Sequence, residues 1–117
     1  MKFLKSYKNI CCDDVIQCAF DLNTLDFKVF KNLQEIGAAK VDELAQQMKK
    51  ERSTIYRSLQ KLTHCNICNK KTKTIPHGGY YHVYFCNDTK TIKRTLELCI
   101  DNWYKHMRNT LEQFDKH

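Results

Sequence analysis

Apolar residues recur along this chain at two spacings, and the switches between them mark out its elements. In TLDFKVFKNLQEI, Leu25, Val29, Phe30, Leu33 and Ile36 fall three and four apart, which predicts a helix with one continuous buried stripe. Asn23 or Thr24 suits its N-cap and Gly37 its C-terminal stop. A second helix is written in VDELAQQMKK, with Val41, Leu44, Ala45 and Met48 inward and Asp42 and Glu43 in the first turn. A break at Lys50–Glu51 leads to ERSTIYRSLQKL, where Ile55, Leu59 and Leu62 share the core side and Glu51 serves as N-cap. Ahead of these, CCDDVIQCAF predicts a short helix from Cys11 to Phe20, with Val15, Cys18 and Ala19 inward and Asp13 and Asp14 in its first turn. Residues 1 to 10 read as a frayed basic extension.

The rhythm then changes to strands. Residues 67–75, ICNKKTKTI, and 80–86, YYHVYFC, are strand-like, and Pro76-His77-Gly78-Gly79 between them supplies a turn. From Asp88 onward there is neither Gly nor Pro, and Asn87 or Asp88 can cap a long helix. Its stripe is Ile92, Leu96, Cys99, Ile100, Trp103, Met107, Leu111 and Phe114, more than a small domain can cover by itself. Pairing with a second copy is therefore expected, with Ile92, Leu96, Ile100, Trp103, Met107, Leu111 and Phe114 as the dimer interface; a helix folded back on its own domain is the other reading. The resulting fold class is mainly α with a small β-hairpin: an extension with a short helix at 1–21, a winged helix-turn-helix domain at 22–87 and a C-terminal dimerisation helix at 88–117.

The polar side of the 51–63 helix carries Arg52, Ser53, Thr54, Tyr56, Arg57, Gln60 and Lys61, donors and acceptors that reach phosphates and base edges alike. A tight turn before it and a basic hairpin after it make a winged helix-turn-helix pattern, in which the 51–63 helix enters a DNA major groove. The hairpin at 67–86 would hold the backbone and minor groove through Lys70, Lys71, Lys73 and His77. Many helical domains contain similar helix pairs, and a basic hairpin can also serve only as a lid on a core.

Charge sharpens this picture. Eleven Lys or Arg lie between Lys49 and Arg94 against two acids, while the remainder has nine bases and eleven acids. The whole excess of +7 thus sits in the middle of the chain, which favours a polyanionic partner, double-stranded DNA, over a random solvated surface. The 117 residues fit one compact domain. No apolar run reaches the ~20 residues of a membrane helix, and MKFLKSYKN lacks the apolar core of a signal peptide, so a cytoplasmic protein with no membrane partner is expected. No phosphate-cradling glycine loop or catalytic pairing stands out, and an enzyme is not expected.

Seven cysteines at irregular spacing argue against a disulfide framework and for buried free thiols. Cys65, Cys68, His82 and Cys86 could be drawn as a zinc set, but the single C-x-x-C lacks a second close ligand couple, so no metal or other cofactor is expected. A redox switch through Cys11, Cys12 or the Cys65–Cys68 pair is a further option, favoured by the nearby Lys61, Lys70 and Lys71.

The phrases LNTLDFKVFKNL, VDELAQQM, ERSTIYRSLQKL and HGGYYHVYF, followed by the terminal helix, make residues 22–114 resemble archaeal winged-helix transcription regulators. The resemblance is to the TrmB-like and Lrs-fourteen-like kind, relatives of the MarR group. It implies a dimeric, sequence-specific DNA-binding regulator, with Ser53, Thr54, Tyr56 and Arg57 matching the major-groove readers and Lys71, Lys73 and His77 the wing contacts. Two features depart from that pattern. Asn66 stands where Gly usually follows the recognition helix, and these 117 residues leave no room for the sugar-binding domain of larger TrmB-like proteins, so sugar sensing is not carried over. The leading expectation is a homodimeric transcription regulator. The alternatives are a winged-helix protein-interaction module in a transcription or chromatin complex, and a regulator responsive to metal or thiol redox state.

Overall fold

The computed structural model describes residues 12–116, without the side chains of residues 12–14 and 18. Expectations on Cys11, Cys12, Asp13, Asp14, Cys18 and the basic extension lie outside this description. The elements follow the order α1 (Cys12–Ala19), α2 (Thr24–Ile36), β1 (Ala38–Ala39), α3 (Val41–Met48), α4 (Arg52–His64), β2 (Cys68–Thr74), β3 (Tyr80–Cys86) and α5 (Thr89–Glu112), with a short 3-10 turn at Phe114–Lys116. The protein is a winged helix: α2, α3 and α4 with a small antiparallel sheet of order β1-β3-β2, preceded by the short α1 and followed by the long α5.

Each boundary has a local cause. α2 begins in a capping box, the Asp26 amide donating to Asn23 Oδ1 at 2.7 Å and the Asn23 amide to Asp26 Oδ2 at 3.1 Å. It ends on Gly37, whose φ of 97° only glycine adopts without strain. α3 stops when Lys49 turns left-handed, φ 56°, and the Lys50 amide reaches back to the Ala45 carbonyl. That left-handed lysine makes the tight turn into α4. α4 ends at His64, two residues before a left-handed Asn66, φ 66°, with the Ile67 amide donating to the Leu62 carbonyl at 3.2 Å, so asparagine performs the stop expected of it. Asp88 caps α5 by accepting from the Thr91 amide at 3.0 Å.

The core joins all these pieces. Val29, Phe30 and Leu33 of α2, Leu44 of α3 and Ile55, Leu59 and Leu62 of α4 meet Ile67, Cys68 and Tyr84 from the hairpin side. Two residues sit elsewhere than their periodicity predicts. Ile36 is 42% exposed, because it lies at the edge of the α2 stripe in the last turn, beyond reach of the core. Ile92, assigned to the dimer stripe, is 5% exposed within the chain's own core, with Leu96 and Cys99 packed against it.

The two-residue strand β1 was not anticipated from sequence. Ala38 pairs with Phe85 and Ala39 with Tyr84, which makes the hairpin a three-stranded sheet and ties the α2–α3 connection to β3. α5 rises about 36 Å at ~1.5 Å per residue and gives the molecule its elongated 65 × 27 × 26 Å form. Its distal half leaves Ile100, Tyr104, Met107 and Leu111 exposed, with Phe114 beyond it 78% exposed; Trp103 is half-buried.

Candidate nucleic-acid interface

The apolar face of α4 is sealed in the core, so its opposite face is the one presented to solvent. Arg52, Ser53, Tyr56, Arg57 and Gln60 are exposed there, while Thr54 and Lys61 are half-buried. Gln60 Nε2 donates to the Tyr56 hydroxyl at 3.0 Å, one turn away, which orders two polar groups side by side. Arg52 Nε lies 2.7 Å from Asp42 Oδ1 of α3. Both side chains are largely exposed, so this pair contributes ~0–1 kcal/mol and leaves most of the guanidinium donors free for other acceptors. Arg57 makes no ion pair among the described residues.

Lys61 has a different environment. Its ammonium is 2.9 Å from Oδ2 of Asp26, a buried carboxylate whose Oδ1 also accepts from the Ser58 hydroxyl at 2.7 Å. Burial alone would raise the Asp26 carboxyl, but the hydrogen bonds from Ser58, Lys61 and the Asn23 amide outweigh it and hold it below its ordinary range. The same bond to Asp26 raises the Lys61 ammonium. Asp26 and Ser58 were not singled out in the sequence. A short polar side chain inside a stripe, at Asp26 and again at Ser58, was the available signal.

The hairpin sorts its cations by strand parity, since alternate residues point to opposite faces. The face carrying Cys68 and Tyr84 turns to the core, and Lys70, paired with Tyr84, continues that face outward. Lys70 thereby joins Gln60, Lys61, Thr63 and His64 around an open depression between the end of α4 and the sheet. Lys71 and Lys73, paired with Val83 and Tyr81, share the opposite face. Lys40 comes to that face too, its Nζ 4.4 Å from the Tyr81 ring centroid. Only the pairing of β1 with β3 brings Lys40 there, which no local pattern announces. His77 is exposed at the wing tip, in a turn that needs positive φ at Gly78 and Gly79.

The drawn zinc set is not assembled. Cys68 and Cys86 are cross-strand partners with Sγ atoms 3.6 Å apart, but His82 pairs with Thr72, four residues further along the hairpin, and accepts or donates at 3.0 Å with its hydroxyl. Four strand residues span ~13 Å, far beyond a shared ion. Cys65 faces the Phe20 carbonyl instead, at 3.9 Å. Among the described residues no three His, Cys, Asp or Glu side chains converge as a metal site.

The family model for the sugar-specific transcriptional regulator TrmB matches residues 16–90. An uncharacterized protein of Methanocaldococcus jannaschii is 26% identical over 103 residues, 88% of this chain and 78% of its own length. A solved structure described as a possible transcriptional regulator from Methanosarcina mazei superimposes with a TM-score of 0.76 at 25% identity, covering 87% of each chain. TrmBL2, described as an archaeal chromatin protein with a novel mode of DNA binding, shares the fold with a TM-score of 0.60 at 22% identity over 89% of this chain and 36% of its own.

Proposed function

The chain belongs to the TrmB family of winged-helix, DNA-binding transcription regulators, not to an enzyme family, and from that premise we propose that it acts as a sequence-specific homodimer on double-stranded DNA. One observation carries this reading: the exposed face of α4 presents Arg52, Ser53, Tyr56, Arg57 and Gln60 beside the basic hairpin that bears Lys70, Lys71 and Lys73. In this reading α4 enters the major groove, where arginine can pair bidentately with guanine, and Ser53, Thr54, Tyr56 and Arg57 are the readers. The outer face of the wing, with Lys71, Lys73 and Lys40, rests on phosphates, and His77 extends the contact toward the minor groove. Lys61 is committed to Asp26 and acts mainly by fixing α4 in its seat.

Two copies joined through the distal stripe of α5 would place two α4 helices in successive major grooves, roughly 34–36 Å apart. Acting on DNA, the protein would work in the cytoplasm; among the described residues no helix is long and apolar enough to cross a membrane. Selection of bound sequences from random DNA, with and without reductant and chelator, tests the whole reading. An inverted-repeat motif is the expected result. Failure to enrich any motif at physiological salt would overturn it.

A further inference from the structure

The cysteines at the base of the hairpin remain outside this reading, and their geometry points to chemistry of its own. Cys68 opens β2 and Cys86 closes β3, directly opposite each other, with Sγ atoms 3.6 Å apart. The ladder shows which kind of pair this is. The Asn87 amide donates to the Ile67 carbonyl at 3.0 Å, and at the far end the Ile75 amide donates to the Gly79 carbonyl at 3.1 Å. Ladder hydrogen bonds in an antiparallel pair fall on every second residue pair, so both ends set the same parity. Cys68 and Cys86 therefore occupy a non-hydrogen-bonded position, where opposed Cα atoms stand ~4.5 Å apart and side chains are closest. Disulfides accept Cα separations of ~4.4–6.8 Å. The backbone is already placed for the bond.

We propose that Cys68 and Cys86 form an oxidisable dithiol across the base of the wing, which a peroxide closes into an intrachain disulfide. Cys86 is the group that meets the oxidant, because it is half-buried whereas Cys68 is only 2% exposed. The two thiols are within hydrogen-bond reach of each other, and with Cys68 as donor the bond lowers the Cys86 thiol against the opposing effect of burial, while the Cys86 thiol in turn can donate to the Phe30 carbonyl 3.7 Å away. Giving that hydrogen bond, together with burial, pushes the Cys68 thiol up, so Cys86 is the first of the two to release its proton. The Cys86 thiolate attacks one peroxide oxygen, the O–O bond breaks, and hydroxide leaves and takes up the proton that Cys86 had released. The Cys68 sulfur then attacks the sulfenic sulfur of Cys86, the S–O bond breaks, and water leaves with the Cys68 proton. Two thiols and one hydrogen peroxide thus give one disulfide and two waters, with two electrons passing from sulfur to peroxide.

This assignment differs from the C-x-x-C spacing of Cys65 and Cys68. Cys65 follows the end of α4 and faces the Phe20 carbonyl, while Cys68 faces Cys86. Closure would pin both strands of the wing where the hairpin leaves the core, four residues past the end of α4.

Peroxide treatment of the native chain, followed by alkylation of remaining thiols and peptide mapping, tests the proposal. The expected product is a dithiothreitol-sensitive peptide joining Cys68 to Cys86. The same treatment of a chain with Cys11, Cys12, Cys18, Cys65 and Cys99 replaced by serine should consume both remaining thiols. In C68S, Cys86 should stop as a sulfenic acid trapped by dimedone. Linkage of Cys68 to Cys65 in the native chain, or full alkylation of Cys68 and Cys86 after peroxide, would overturn it.

Discussion

Lys61 Nζ lies 2.9 Å from Asp26 Oδ2, and the carboxylate it meets is 3% exposed at the start of α2. The pair ties α4 to the start of α2, so the seat of α4 is electrostatic as well as apolar. Asp26 also completes the α2 capping box and accepts from the buried Ser58 hydroxyl, leaving no buried side-chain polar atom unsatisfied among the described residues. Replacing Asp26 by alanine removes a cap contact, worth ~1 kcal/mol. It also leaves the Ser58 hydroxyl buried without its acceptor, at ~1–3 kcal/mol. Asp26→Ala is therefore expected to lower stability by about 2–4 kcal/mol in urea unfolding, whereas Lys61→Met, at a half-exposed position, should cost less. Equal losses in the two variants would contradict this division of roles.

The same carboxylate makes stability depend on pH in a defined direction. Its folded-state pKa lies below the ordinary value of 3.8, so the unfolded chain takes up the proton first as pH falls. The contribution of Asp26 is fully present above that ordinary value and drains away as pH drops through the lower, folded-state one. Urea midpoints of the native chain should fall faster than those of Asp26→Asn below about pH 4, and the gap between the two should be constant from about pH 5 to 7. A gap that widens on acidification would contradict it.

How far the sequence led is clearest at particular residues. Ile55, Leu59 and Leu62 are each fully buried, as their spacing requires, because a three-four rhythm on a helix has only one way to face a core. The hairpin and its turn were equally plain, since glycine, proline and β-branched or aromatic runs act locally. What was not legible is non-local. Ala38 and Ala39 become a strand only because β3 offers them an edge, and Lys40 reaches Tyr81 only through that pairing. Lys61 reads as one more DNA-facing cation of α4 until Asp26, 35 positions earlier, is folded beside it. As a redox pair Cys68 reads with Cys65 from their spacing, and the sheet register places it opposite Cys86, which the sequence joins to it only in the four-residue zinc set.

Arg57 tests base reading directly. It is exposed on the free face of α4 and, among the described residues, its guanidinium has no carboxylate to satisfy it. Arg57→Ala should weaken cognate DNA by about 1–3 kcal/mol and scrambled DNA by much less, relaxing preference at one base position. Equal loss on both DNAs in a titrated gel shift would assign Arg57 to phosphate instead.

Lys71 and Lys73 share the outer face of the wing, two residues apart on β2. If both meet phosphates, removing them should release about two fewer counterions. The double variant Lys71→Ala, Lys73→Ala should then bind all sequences more weakly, with the slope of log K against log salt reduced by about 2. Lys70→Ala, on the opposite face beside Gln60 and His64, should leave part of that slope in place. A double variant with the native slope would remove the wing from the interface.

The distal part of α5 is where the proposed dimer would form. Ile100, Trp103, Tyr104, Met107 and Leu111 project from one side of the helix at the threes and fours that two helices can share, and four of them are 42–64% exposed. Leaving such a surface in water forgoes about 25 cal/mol for each Å² of apolar area. The proximal part of the same stripe, Ile92 and Leu96, already packs in the chain's own core, so the domain should fold whether or not the distal part is covered. Ile100→Glu together with Met107→Glu should therefore change association without unfolding the winged domain. Sedimentation equilibrium is expected to give about twice the 13.9 kDa chain mass for the native protein and the single mass for the double variant, with matching far-ultraviolet circular dichroism apart from fraying of α5. DNA affinity should fall with the mass, because a monomer engages one half-site where the dimer engages two. A native protein of single mass would leave the stripe without its proposed partner and would remove the paired-groove geometry with it.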